Sequence, residues 1–149
     1  MGQKRFQVKS ALALALALLL WVTWTACSTV KGRPADPTLI RETGEGKYYF
    51  FEDVLIPKEL NYKASDSFIY ETSKFKAGWV NFSGWWVDAE TLVKFFNTYM
   101  GKDNWKLINS FRGKEYLLNF SKPDKTCTIK IVDKWYGSVH VEIRVGPLA

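Results

Sequence analysis

The sequence predicts an α+β fold of two layers, with one main helix packed on one face of a five- to seven-stranded, mainly antiparallel sheet. Three observations predict it. Apolar residues make up 47% and aromatic residues 16% of the 149 positions, enough for a single domain with a ring-rich core. One stretch, residues 88–101, carries helical spacing, and most of the chain after residue 66 alternates apolar with polar side chains. Strands with one apolar face belong to an antiparallel sheet covered on one side and wet on the other.

In chain order, residues 48–56 (YYFFEDVLI) are dense in aromatic and aliphatic side chains until Pro57, which predicts an extended segment or edge strand. Residues 67–72 and 75–83 read as the two strands of a hairpin. The helix has Asp88 as N-cap, Glu90 in its first turn and Gly101 just past its end, with Leu92, Val93, Phe96, Tyr99 and Met100 on one face. Trp105, Leu107 and Phe111 then share one side of a strand, Gly113-Lys114 turns the chain, and Tyr116, Leu118 and Phe120 return. Residues 122–125 make a second turn. Cys127, Ile129 and Ile131 alternate before a loop at 133–137, and Val139, Val141, Ile143 and Val145 oppose His140, Glu142 and Arg144 on the last strand.

The amino terminus is of another kind. Residues 1–26 hold no acidic side chain, and Lys4, Arg5 and Lys9 precede the apolar run ALALALALLLWV at 11–22. A basic leader, a short apolar core and small residues form the layout of a secretory signal peptide. Even extended to Ala26, the run falls short of the ~20 residues that comfortably span hydrocarbon. N-myristoylation is not expected, because Phe6 stands where that signal wants Ser or Thr. Removing the leader takes Lys4, Arg5 and Lys9 with it and lowers the formal net charge from +6 to +3. So small an excess, with no run of like charges, predicts no nucleic-acid partner. Residues 28–47, polar and broken by Pro34, Pro37, Gly44 and Gly46, predict a flexible tether; ~20 residues of coil reach on the order of 25 Å. The domain plan is therefore a signal peptide at 1–26, a lipidated cysteine and tether at 27–47, and an α+β domain at 48–149.

Trp24-Thr25-Ala26-Cys27 resembles the lipobox of bacterial lipoproteins, although Trp24 stands where that motif usually carries Leu. The resemblance implies diacylglyceryl transfer to the Cys27 sulfur, cleavage before it and acylation of the freed amine; Ser28 in place of Asp implies release to the outer membrane. The alternative is an ordinary Cys27 at the end of an uncleaved anchor in the inner membrane. Further on, Ile56-Pro57, Leu60, residues 68–70, Gly78, Phe82-x-Gly84, residues 92–96, Met100 and Trp105 are similar to a group of small lipid-anchored envelope proteins of Gram-negative bacteria, over residues 54–147. That resemblance implies the fold and the compartment and carries over no catalytic residue. The chain departs from the pattern at Trp85-Trp86, where polar or basic residues are expected.

The candidate sites are few. Cys127 and His140 invite a nucleophile-and-base reading, but strand parity places them on opposite faces, with Cys127 a small buried residue and His140 a solvated one. A single histidine excludes metal sites that need two imidazoles, two cysteines exclude a disulfide-stapled scaffold, and no phosphate loop, calcium loop or nucleophile elbow occurs. No cofactor or metal is expected. Glu52 with Asp53, or Asp88 with Glu90, are carboxylate pairs of the kind glycoside hydrolysis uses when ~5–9 Å apart, while capping and the helix dipole account for Asp88 and Glu90 structurally. Gly84-Trp85-Trp86-Val87 stands out. Adjacent indoles in an extended segment point to opposite faces, so at least one of Trp85 and Trp86 is expected to be exposed and available to a sugar ring, a membrane interface or a protein partner, unless both cover the edge of a small core.

These readings together predict a lipid-anchored envelope protein on the periplasmic side of the outer membrane, a non-catalytic binding or assembly module. Its expected partners are the membrane, through Cys27, and an envelope protein or cell-wall glycan, through Trp85 and Trp86. A small periplasmic hydrolase acting on peptidoglycan or glycan is the alternative in function.

Overall fold

The computed structural model describes residues 39–148; the leader, Cys27 and the first part of the expected tether lie outside the described residues. Among the described residues, nine strands and one helix follow in the order β1 (Leu39–Glu42), β2 (Gly46–Tyr49), β3 (Leu55–Pro57), β4 (Asn61–Glu71), β5 (Lys76–Trp85), α1 (Ala89–Lys102), β6 (Lys106–Arg112), β7 (Tyr116–Ser121), β8 (Lys125–Lys134) and β9 (Ser138–Pro147). They build a six-stranded sheet in the order β4-β5-β9-β8-β7-β6 and a separate three-stranded sheet, β1-β2-β3. Every strand pairing in both is antiparallel. The helix packs on one face of the larger sheet, as the α+β reading requires.

The three-stranded sheet was not foreseen, and a size argument explains its presence. A helix of 14 residues is about 21 Å long and about 10 Å wide, whereas six strands ~4.8 Å apart spread over about 24 Å. One helix covers half of that face. Contacts place α1 over β6, β7 and β8, and the remaining half is closed from the small sheet, where Tyr49 lies against Tyr62 and Phe82 with ring centroids 5.6 and 5.5 Å apart. Phe51, Val54, Ile56 and Leu60 join Phe96, Met100, Cys127, Ile129, Val141 and Ile143 in one core.

Two boundaries are corrected. The expected tether does not extend to residue 47, because residues 39–47 form β1, a turn and the start of β2. The Thr43 N–H and Oγ1 both donate to the Gly46 carbonyl, at 2.7 and 3.0 Å, and close that turn. Gly46 is a close-approach residue rather than a breaker: a Cβ there would sit 2.2 Å from the Ile56 carbonyl oxygen across the β2–β3 pair. Residues 48–56, expected as one extended stretch, instead divide at Phe50, whose φ of 53° turns the chain out of β2 and toward β3.

The helix end is corrected as well. Gly101 lies inside α1, and the left-handed residue is Asn104, at φ 62°. The Asn104 N–H donates to Gly101 O at 3.2 Å and the Trp105 N–H to Met100 O at 2.9 Å. This pair of bonds is a Schellman closure, with Met100 and Trp105 supplying its apolar contact. Strand β6 departs furthest from expectation. The β6–β7 register shifts between Leu107 and Asn109, so Leu107 opposes Phe120 on the core side whereas Phe111 opposes Leu117 on the open side. A one-residue bulge inverts parity; Leu107 and Phe111 are both largely exposed, and of the three residues grouped by alternation only Trp105, just before the strand, is in the core.

Candidate functional site

One end of the six-stranded sheet gathers four exposed aromatic side chains. Trp85 closes β5 opposite Ser138, the first residue of β9, and Trp86 follows it out of the sheet. From the neighbouring β8–β9 hairpin, whose strands pair as far as Lys134 and Ser138, the three-residue loop Trp135-Tyr136-Gly137 meets them. Gly137 takes φ 79°, as such a loop demands of its last residue. The rings of Trp85 and Tyr136 lie 6.0 Å apart, and those of Trp135 and Tyr136 5.5 Å apart, edge to face. Trp86 is 88% and Trp135 95% exposed.

Trp86 is held in this position by backbone. Its φ of 58° lies in the left-handed region that a bulky side chain rarely enters, and its N–H donates to the Gly137 carbonyl at 3.0 Å, tying the two loops together. The indole rests on Gly137: a Cβ at that position would lie 3.3 Å from Trp86 Cζ3. Only this part of the ring touches the fold, and the rest is open. Beside it a groove of about 520 Å³ separates Trp86 from the first turns of α1. Val87, Leu92 and Phe95 contribute apolar lining, and the exposed side chains of Glu45, Lys58 and Glu59 border it. A second irregularity sits nearby. The Ser138 hydroxyl is buried with no hydrogen-bond partner among the described residues.

Alternation of faces predicts that at least one of Trp85 and Trp86 is exposed. Both indoles are exposed, since Trp86 is not in an extended conformation and the alternation of faces ends at Trp85. Trp135 and Tyr136 were missed altogether; two rings ahead of a glycine, inside a turn between strongly alternating strands, were the available signal.

Of the remaining candidates, Glu52 is exposed. Cys127 is fully buried opposite Val145 and Phe120, and burial, helped by the Asp53 carboxylate, raises its thiol pKa well above the ordinary range. His140 is exposed on the other face, opposite Ser83 and Val132. Asp88 Oδ2 accepts from the Thr91 N–H at 2.7 Å and from the Thr91 hydroxyl at 2.9 Å, which holds its carboxyl below the usual range. Glu90 pairs with Arg112. Asp53 accepts from Lys122 and Lys125; partial burial pushes its pKa up, but the two ammonium groups outweigh this and the carboxyl is held low. No group of three or more His, Cys, Asp or Glu side chains that could hold a metal ion occurs among the described residues, and none of their helices is long and apolar enough to cross a membrane. Comparison with known proteins finds no matching family model, no matching curated protein and no matching solved structure.

Proposed function

We propose that this chain is a lipid-anchored envelope protein, held at the outer membrane through Cys27 with its α+β body in the periplasm, and that it acts there as a non-catalytic binding or assembly module. The observation that carries the reading is the cluster of Trp85, Trp86, Trp135 and Tyr136, four exposed rings from two loops at one end of a sheet. Contiguous exposed aromatic surface marks contact sites, and Trp and Tyr are the side chains that most often anchor them. Of the carboxylates weighed for hydrolysis, Asp53, Asp88 and Glu90 each have a structural partner and Glu52 is exposed.

Strand direction separates the cluster from the end at which the described chain begins. Leu39 opposes Tyr49 in β1–β2, and the next residue, Phe50, accepts at its carbonyl from Lys76, the first residue of β5, at 3.3 Å. Trp85 is the last residue of that strand. The chain thus enters the body at one end of β5 and the aromatic cluster lies at the other, about 30 Å away at ~3.3 Å per residue.

Mild crosslinking of envelopes followed by affinity capture tests the reading. A chain with Trp85→Ala and Trp86→Ala should keep its circular dichroism and lose the captured partner, while the intact mass of the native chain should begin at Cys27 and include acyl groups. Undiminished capture by the double variant would remove the binding surface from the proposal, and an unlipidated chain beginning at Met1 would remove the anchor.

A further inference from the structure

We infer that the groove beside Trp86 binds a chain of amino sugars, with one pyranose ring stacked on the open indole face and its hydroxyl and amine groups directed to Glu45 and Glu59. This rests on the recognition reading above and names its ligand.

Three observations point to that chemistry. The first is the platform. Trp86 offers an open aromatic plane, 88% exposed and steadied by contact of part of its ring with Gly137, and a pyranose has one flat side of C–H groups that matches an aromatic plane while its hydroxyls project around the edge. Side chains at φ 58° are costly, and such strain is retained where the resulting geometry is used. The second is the border. Glu45 and Glu59 make no ion pair or hydrogen bond among the described residues, so they are unspent acceptors beside the ring. With Asp88 also lining the groove and Lys58 the one cation there, the border is acidic, which repels anionic lipid head groups and attracts a sugar carrying a protonated amine. The third is the wall. Apart from Pro57 at the end of β3, the lining residues come from turns and from α1, whose Thr91 N–H is already taken by Asp88. The groove therefore presents no free strand edge to an extended peptide, whereas a volume of about 520 Å³ is of the size that small polar ligands occupy.

Calorimetric titration of the full chain with two soluble probes tests the inference: a β-1,4-linked tetramer of N-acetylglucosamine and the corresponding tetramer of glucosamine. Saturable binding is expected for both, several-fold tighter for the free-amine tetramer. Trp86→Gly should weaken both at least tenfold without lowering the unfolding midpoint, because glycine is at ease at φ 58° and removes only the platform. Glu45→Gln with Glu59→Gln should abolish the preference for the free amine, and Phe111→Ala, an exposed ring on β6 at the other edge of the sheet, should leave both affinities within twofold. Absence of saturable binding, or unchanged affinity in Trp86→Gly, would overturn the inference. If neither tetramer binds while envelope capture still depends on Trp85 and Trp86, the partner is a protein and only the sugar assignment falls. If capture is independent of both indoles, the recognition reading falls with it.

Discussion

Trp105 and Trp86 stand at opposite ends of the six-stranded sheet and are held in opposite ways. Trp105 is 4% exposed; its Nε1–H donates to the Asp53 carbonyl at 2.7 Å, and the Lys122 and Lys125 ammonium groups lie 4.9 and 5.4 Å from its ring. The same two lysines share the Asp53 carboxylate. Every group there answers another. At the far end Trp86 leaves most of its ring in solvent on a left-handed backbone, and the Ser138 hydroxyl is buried without a partner among the described residues. Left-handed backbone occurs at both ends, at Phe50 and Asn104 as well as at Trp86, so the difference lies in the side chains: one end pairs and buries them, and the other leaves a ring in solvent and a buried hydroxyl unpaired.

The largest effect should come from Trp105→Ala. Removing a buried indole at a helix closure should cost about 3–5 kcal/mol, read as a lower midpoint in denaturant unfolding. Asp53→Asn comes next, at roughly 1–2 kcal/mol at neutral pH, since Lys122 and Lys125 lose their shared counter-charge while only partly solvated. This substitution also has a pH signature. The folded-state carboxyl of Asp53 titrates below its ordinary value of 3.8, so its stabilisation is present above that value and is lost as pH falls through and below it. Unfolding midpoints of the wild type should therefore decline on acidification below about pH 4, and those of Asp53→Asn should decline less.

The other end should answer differently. Ser138→Ala should raise stability by roughly 1 kcal/mol by removing an unsatisfied buried hydroxyl; a loss of that size would mean the hydroxyl has a partner after all. Smallest of all, Trp86→Gly should change stability by no more than about 0.5 kcal/mol, relief of the left-handed strain offsetting the lost contact with Gly137 and the entropy of glycine. A loss near that of Trp105→Ala would erase the contrast between the two ends.

Much of the sheet was legible because its strands obey a strict period of two. Cys127, Ile129, Ile131 and the valines of β9 lie inward as the alternation required, and Asp88 caps α1 as its position before Ala89 and Thr91 suggested. Legibility stopped where backbone departs from its regular period. The bulge in β6 moved Phe111 to the open face, Asn104 took the left-handed position in place of Gly101, and glycine in a close strand pair at Gly46 read as a breaker. The site was half visible for the same reason. Trp85-Trp86 is conspicuous in the chain, but the hydrogen bond from Trp86 to Gly137 joins residues 51 positions apart, and no local pattern announces that Trp135, Tyr136 and the Glu45 turn converge there.

Capture from crosslinked envelopes by Trp86→Gly, once its unfolding midpoint matches that of the wild type, tests the central claim most directly. The account predicts a fully folded chain that no longer retains its partner. Retention equal to the wild type by a chain lacking that indole would contradict it.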